Sequence, residues 1–92
     1  MTTLHLIRES SSQKDFSTYI SLVSTNDSIV LLDDGCYNAN SHWLTKLNFK
    51  NLYVIERHAS ARAIPLGDNA KSITSDTLVD LICQHNNSIT WN

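Results

Sequence analysis

Asp33, Asp34, Gly35 and Cys36 stand in a row directly after the apolar run Ile29-Val30-Leu31-Leu32. A thiol placed between the end of a strand and a helix start at Tyr37 would sit among backbone N–H groups, which lower its pKa. His42, six residues on, is a base of the right type to approach it. On that reading Cys36 is a nucleophile; on the other it is a half-buried small hydrophobe. Open α/β sheets place function at strand C-termini, where Asp33 and Asp34 would be catalytic carboxylates or a Mg²⁺ site. The simpler reading makes them a turn in which Gly35 takes positive φ. Two carboxylates beside Cys36 also raise its pKa by like-charge repulsion. A one-turn helix dipole, worth about 0.3–1 kcal/mol, does not outweigh them.

The remaining candidates are weaker. The histidines are His5, His42, His58 and His85, with no C-x-x-C or H-E-x-x-H around them. Cys83 and His85 make a lone C-x-H that cannot place two ligands on one helical face, so no metal site is expected. These histidines read as surface or capping residues, with His85 favouring a helix C-terminus. Two glycines and no Gly-rich loop exclude a phosphate cradle, so no cofactor is expected. A Ser hydrolase would need a G-x-S-x-G elbow, which is missing. Cys83, beside Leu81 and Ile82, reads as helix packing. Arg57 and Arg62 flank His58 but lie five apart, off one helical face, and make at best a weak anion patch. Tyr37, Trp43 and Tyr53 are candidate interface aromatics, with Tyr53 nearer the core.

Hydrophobic patterning supplies the elements that hold these residues. Leu4, Leu6 and Ile7 read as a strand with His5 interleaved. Phe16, Tyr19, Ile20 and Val23 recur at i, i+3, i+4 and i+7, which predicts a helix. Ser12 and Asp15 approximate a capping box at its start, and Thr25-Asn26-Asp27 stop it. The run Ile29–Leu32, apolar without alternation, reads as a strand buried on both faces. Ser41 to Asn48 reads as a short helix, and Leu52 to Ile55 as a second buried strand. Glu56 to Arg62 reads as a helical turn, and Pro65 with Gly67, Asp68 and Asn69 as a loop. Ser72 to Thr74 predicts a brief strand. Ser75 reads as the N-cap of a helix whose face is Leu78, Val79 and Ile82. Ser88 to Trp91 closes the chain as a strand. Alternating strands and helices predict an α/β fold: residues 1–92 form one small domain with a mostly parallel, twisted sheet of about five strands flanked by helices.

Composition narrows the function. Ninety-two residues make one domain, and 41% hydrophobic with 17% charged residues is globular, not disordered. A net charge of −2 gives no field for a phosphate backbone, so no direct nucleic-acid binding is expected. No apolar run approaches the roughly 18 residues of a membrane span, and the start, MTTLHLIRES, does not read as a secretion signal. Two well-separated cysteines then predict a reduced, cytoplasmic protein.

Four segments together carry a family resemblance. They are Leu4-His5-Leu6-Ile7-Arg8-Glu9-Ser10, then Val30-Leu31-Leu32-Asp33-Asp34-Gly35-Cys36-Tyr37-Asn38-Ala39, then Leu52-Tyr53-Val54-Ile55 leading to Ala61-Arg62, and Leu78-Val79-Asp80-Leu81 with His85 and Ile89-Thr90-Trp91. In order and spacing, over nearly the whole chain, they resemble the TusB/DsrH sulfur-relay family. The resemblance implies a DsrE-like fold and a heterohexamer of three related subunits, two copies of each, with TusC-like and TusD-like partners. It implies a non-catalytic subunit, inactive alone, of a complex that passes persulfide sulfur toward 2-thiolation of the tRNA wobble uridine. The working cysteine of that complex belongs to the TusD partner. DsrH-type members serve sulfur oxidation and carry a cysteine in the first helix, at a place that falls on Tyr19 here. The alternatives are therefore a sulfurtransferase carrying persulfide on Cys36, or a DsrH-like subunit of a sulfur-oxidation complex. The sequence departs from the family at Ser10-Ser11, where Ser-Pro is usual, at Ala63, where Gly is usual, and at Cys36, where Val is common.

Overall fold

The computed structural model describes residues 2–10, 16, 23–24, 26–39, 51–65 and 70–91. The strands are β1 (Thr3–Ile7), β2 (Ser28–Leu31), β3 (Asn51–Ile55), β4 (Lys71–Ile73) and β5 (Asn87–Trp91). A 3₁₀ helix (Asp33–Asn38) follows β2, α1 (Glu56–Ala61) follows β3, and α2 (Ser75–Gln84) joins β4 to β5. The strands form one sheet in the order β4-β3-β2-β1-β5, and all four pairings are parallel. The expected α/β class is the observed one, with a sheet that is wholly parallel in the described residues. The helices expected from Phe16 to Val23 and from Ser41 to Asn48 lie largely or wholly outside the described residues, as do Tyr19, His42 and Trp43.

β2 is buried at every position; Ile29, Val30 and Leu31 are so as their apolar run predicted, while Leu32, expected in the strand, follows it half-buried. One face of the sheet packs Ile7, Ile29, Leu31, Leu52 and Val54 with Phe16, Cys36, Ala59 and Trp91. The opposite face packs Leu4, Val30, Ile55 and Ile73 with Leu81 of α2. The alternation of strand side chains divides the two layers, so neighbours such as Val30 and Leu31 serve different cores.

α2 corrects two expectations. Its N-cap is Thr74, whose Oγ1 accepts from the Thr77 N–H at 3.3 Å, while Ser75 is the first helical residue. Its buried side is Leu81 with half-buried Leu78; Val79 is 58% exposed and Ile82 41% exposed. Leu78 and Leu81, three apart, point one way onto the sheet, and that leaves Val79 and Ile82 turned outward. Cys83, expected in packing, is exposed.

Gly35 corrects a third. Its φ is not positive; the left-handed residue of this turn is Asp33, at φ 51°. Glycine is required at position 35 for a different reason. A Cβ there would lie 1.8 Å from the Ile7 carbonyl oxygen, because the 3₁₀ helix is pressed against the end of β1.

Candidate functional site

The C-terminal ends of three neighbouring strands meet at one edge of the sheet. Arg8 and Glu9 follow β1, Asp33 and Asp34 follow β2, and α1 with Arg62 follows β3. Arg8, Glu9, Asp33, Asp34 and Arg62 line an open cleft of about 400 Å³. This is the edge where a parallel sheet presents its loops, as expected for Asp33 and Asp34.

The cleft is a lattice of opposite charges. Arg8 Nε donates to Asp33 Oδ2 at 3.0 Å, and Arg62 Nε donates to Asp34 Oδ1 at 2.9 Å. Arg62 Nη1 also donates to the His58 carbonyl at 3.1 Å. The Asp33 N–H donates to His58 Nδ1 at 2.9 Å. Asp33 thus links the segment after β1 to α1. Arg62, read from sequence as part of a weak anion patch, is instead spent on Asp34, while Arg57 is exposed on α1. The turn segment and the Ala61-Arg62 pair, distant in sequence, are therefore joined by an ion pair. Among the described residues no group of three or more His, Cys, Asp or Glu side chains is arranged to hold a metal ion.

Cys36 lies beneath this lattice and is wholly buried. Its Sγ–H donates to the Leu31 carbonyl at 3.6 Å. Burial, with a smaller opposing pull from Arg62 and a push from Asp33 and Asp34, raises the thiol to about 11. The expected direction is met, but desolvation is the larger cause and the carboxylates the lesser. The helix start expected at Tyr37 begins instead at Asp33, so Cys36 is inside the 3₁₀ helix and not at its N-terminus. Tyr37, next to it, is 52% exposed. Tyr53 is half-buried, with Lys71 Nζ 5.9 Å from its ring centre.

A second polar constellation was not foreseen. His5, expected at the surface or in a cap, is buried in β1. Its Nδ1 accepts from Trp91 Nε1–H at 3.0 Å, and its Nε2–H donates to Asp27 Oδ2 at 2.9 Å. Asp27 also accepts from the Thr3 N–H and the Ser24 N–H, each at 3.0 Å. Burial pushes the Asp27 carboxyl up, but the bonds from His5, Ser24 and Thr3 overcome it and hold it below its ordinary value. The signal in the sequence was phase: His5 alternates with Leu4 and Leu6 and shares its side with Ile7. His85 does cap α2 as expected: its Nδ1–H donates to the Leu81 carbonyl at 2.6 Å, and its Nε2 accepts from Ser28 Oγ at 2.9 Å.

Fold and site together define a small parallel α/β domain with a charged cleft and a buried, protonated thiol beneath it. A family model described as DsrH like protein matches residues 9–88. Protein TusB of Yersinia pestis (strain Pestoides F) is 32% identical over 94 residues, spanning 96% of this chain and 99% of its own. Protein TusB of Yersinia pseudotuberculosis (serotype O:1b, strain IP 31758) matches with the same identity and coverage. The solution NMR structure of Protein Tm0979 from Thermotoga maritima superposes with a TM-score of 0.66 at 23% identity, over 89% of this chain and 92% of that one, which is a likeness of fold. The chain belongs to the TusB/DsrH sulfur-relay family.

Proposed function

We propose that this chain is a non-catalytic subunit of a cytoplasmic sulfur-relay complex, assembled with TusC-like and TusD-like subunits in a heterohexamer. In this reading the complex passes persulfide sulfur toward 2-thiolation of the tRNA wobble uridine, and this chain binds no tRNA directly. Family membership supports the relay subunit. The observation that speaks against a Cys36 carrier is the state of that thiol; Cys83, which is exposed, is tested by the double variant below. A persulfide carrier needs an accessible thiolate. Cys36 has no exposed surface, spends its proton on a backbone carbonyl and is raised to about 11. Only about one thiol in ten thousand would then be ionised at pH 7.

The test is a Cys36→Ser, Cys83→Ser double variant in cells, read by 2-thiolation of tRNA. Thiolation near the wild-type level in the variant, with loss on deletion of the whole chain, is the expected result. A persulfide on Cys36 by mass spectrometry, with thiolation lost in Cys36→Ser while the complex still assembles, would replace this reading with a sulfurtransferase.

A further inference from the structure

Both faces of the sheet hold wholly buried residues, Ile7, Ile29, Leu31 and Val54 on one and Leu4 and Val30 on the other, and both carry half-buried apolar residues against their cores. On the α2 side these are Leu6, Leu32, Tyr53 and Leu78. The outward surface of α2 completes that side of the molecule. Asp76, Val79, Asp80 and Cys83 follow the i, i+3, i+4, i+7 spacing of one helical stripe, with Ile82 beside it. All five are exposed. α2 carries two aspartates and no Lys or Arg. Lys71, on the edge strand β4, stands over the Tyr53 ring.

We infer that the outward surface of α2 docks a different protein chain, one that presents apolar side chains flanked by Lys or Arg. The inference rests on the reading of this chain as a subunit, and it names the surface and the chemistry of the partner. Val79 and Ile82 supply the apolar centre, and Asp76 and Asp80 supply the charge that selects the occupant. A second copy does not fit this stripe. Pairing it with itself supplies no Lys or Arg from α2 to answer either aspartate, so the charges stay uncompensated across such an interface. A basic rim answers both aspartates at once and steers the encounter.

Cys83 makes the test direct, because it stands in the stripe and is exposed while Cys36 is buried. The full chain is co-expressed with the TusC-like and TusD-like subunits. Assembly is measured as affinity, and Cys83 alkylation as a rate by mass spectrometry. Two double variants are compared with wild type: Val79→Ser with Ile82→Ser, and Asp76→Lys with Asp80→Lys. Each is expected to weaken assembly about tenfold or more, the scale of a disrupted interface centre, while thermal melts of the isolated variants still show a cooperatively folded chain. In the wild-type complex Cys83 is expected to alkylate about tenfold more slowly than in the free chain, as its access is lost. Wild-type assembly with both variants equally competent and Cys83 equally reactive overturns the docking surface and leaves the subunit reading standing. Loss in the apolar variant alone overturns the basic partner. Protection of Cys83 in a dimer of the isolated chain assigns the surface to a second copy and also overturns the inference. If the wild-type chain does not assemble at all, the subunit reading falls and this inference with it.

Discussion

Trp91 and Val79 are both large apolar residues in the last fifth of the chain, and they meet opposite fates. Trp91 is wholly buried at the end of β5, edge-on to Phe16 at 5.3 Å between ring centres, with its indole N–H bonded to His5. Val79 faces outward from α2 on the other side of the sheet. On the Trp91 side the polar atoms are answered within the chain: the indole N–H reaches the Asp27 carboxylate through His5. The α2 layer is covered by a helix whose inward side is Leu78 and Leu81, and its outward side keeps apolar surface. Complete closure takes polar partners as well as apolar ones, because a buried indole N–H without an acceptor is costly.

This contrast predicts unequal mutational costs. Trp91→Ala should lose about 4 kcal/mol, combining a large cavity with an orphaned His5 nitrogen. Val79→Ala should lose less than about 0.5 kcal/mol, as exposed positions do. Urea melts of the two variants check it, and similar losses would erase the distinction between the layers. Gly35→Ala should cost about 3 kcal/mol, because its Cβ would meet the Ile7 carbonyl of the central β1 strand and the 3₁₀ helix would have to lift from it. A Gly35→Ala protein that melts like wild type would show that the Trp91 layer yields at that end.

A smaller effect follows acid. The Asp27 carboxyl is held below its ordinary value of 3.8. Its stabilisation is therefore fully present above that value and is lost as the pH falls below it, through the lowered native value. Thermal melts taken down to acid pH should show that loss in wild type and a flatter profile in Asp27→Asn. The smallest effect is a gain. Ala63 has φ 53°, a left-handed conformation that disfavours a Cβ. Ala63→Gly should relieve it and stabilise the chain by about 0.5–1 kcal/mol in the same melts, after the entropy cost of glycine.

The Ala63 position also shows how the sequence and the structure divide the explanation. The departure from the family's usual glycine was visible in the chain, and the structure shows its consequence: Ala63 is the left-handed residue just past the end of α1, with its N–H on the Ser60 carbonyl and the Ile64 N–H on the Ala59 carbonyl. Gly35 was recognised as special for the wrong reason. Its position after a buried strand suggested a positive φ, whereas the constraint is the nearness of β1, which is remote in sequence. Cys36 carried the right expectation about its thiol and the wrong ranking of causes. Charges beside it are readable from sequence, but burial depends on the sheet and the 3₁₀ helix closing around it. The apolar face of α2 was misassigned for a related reason: Leu78, Val79 and Ile82 fit one helical stripe by spacing, and only the sheet's position selects Leu81 in place of Val79 and Ile82.

The sequence by itself determined the strands, their parallel class and the family, because unbroken apolar runs, turn residues and motif order are local and act over a few residues. Tertiary structure alone decided which charges pair at the cleft and that His5 links Trp91 to Asp27. It also decided which side of α2 stays open. Each of these depends on atoms brought within about 3 Å of one another by strands far apart in the chain, and hydrogen bonds and burial act only at that range.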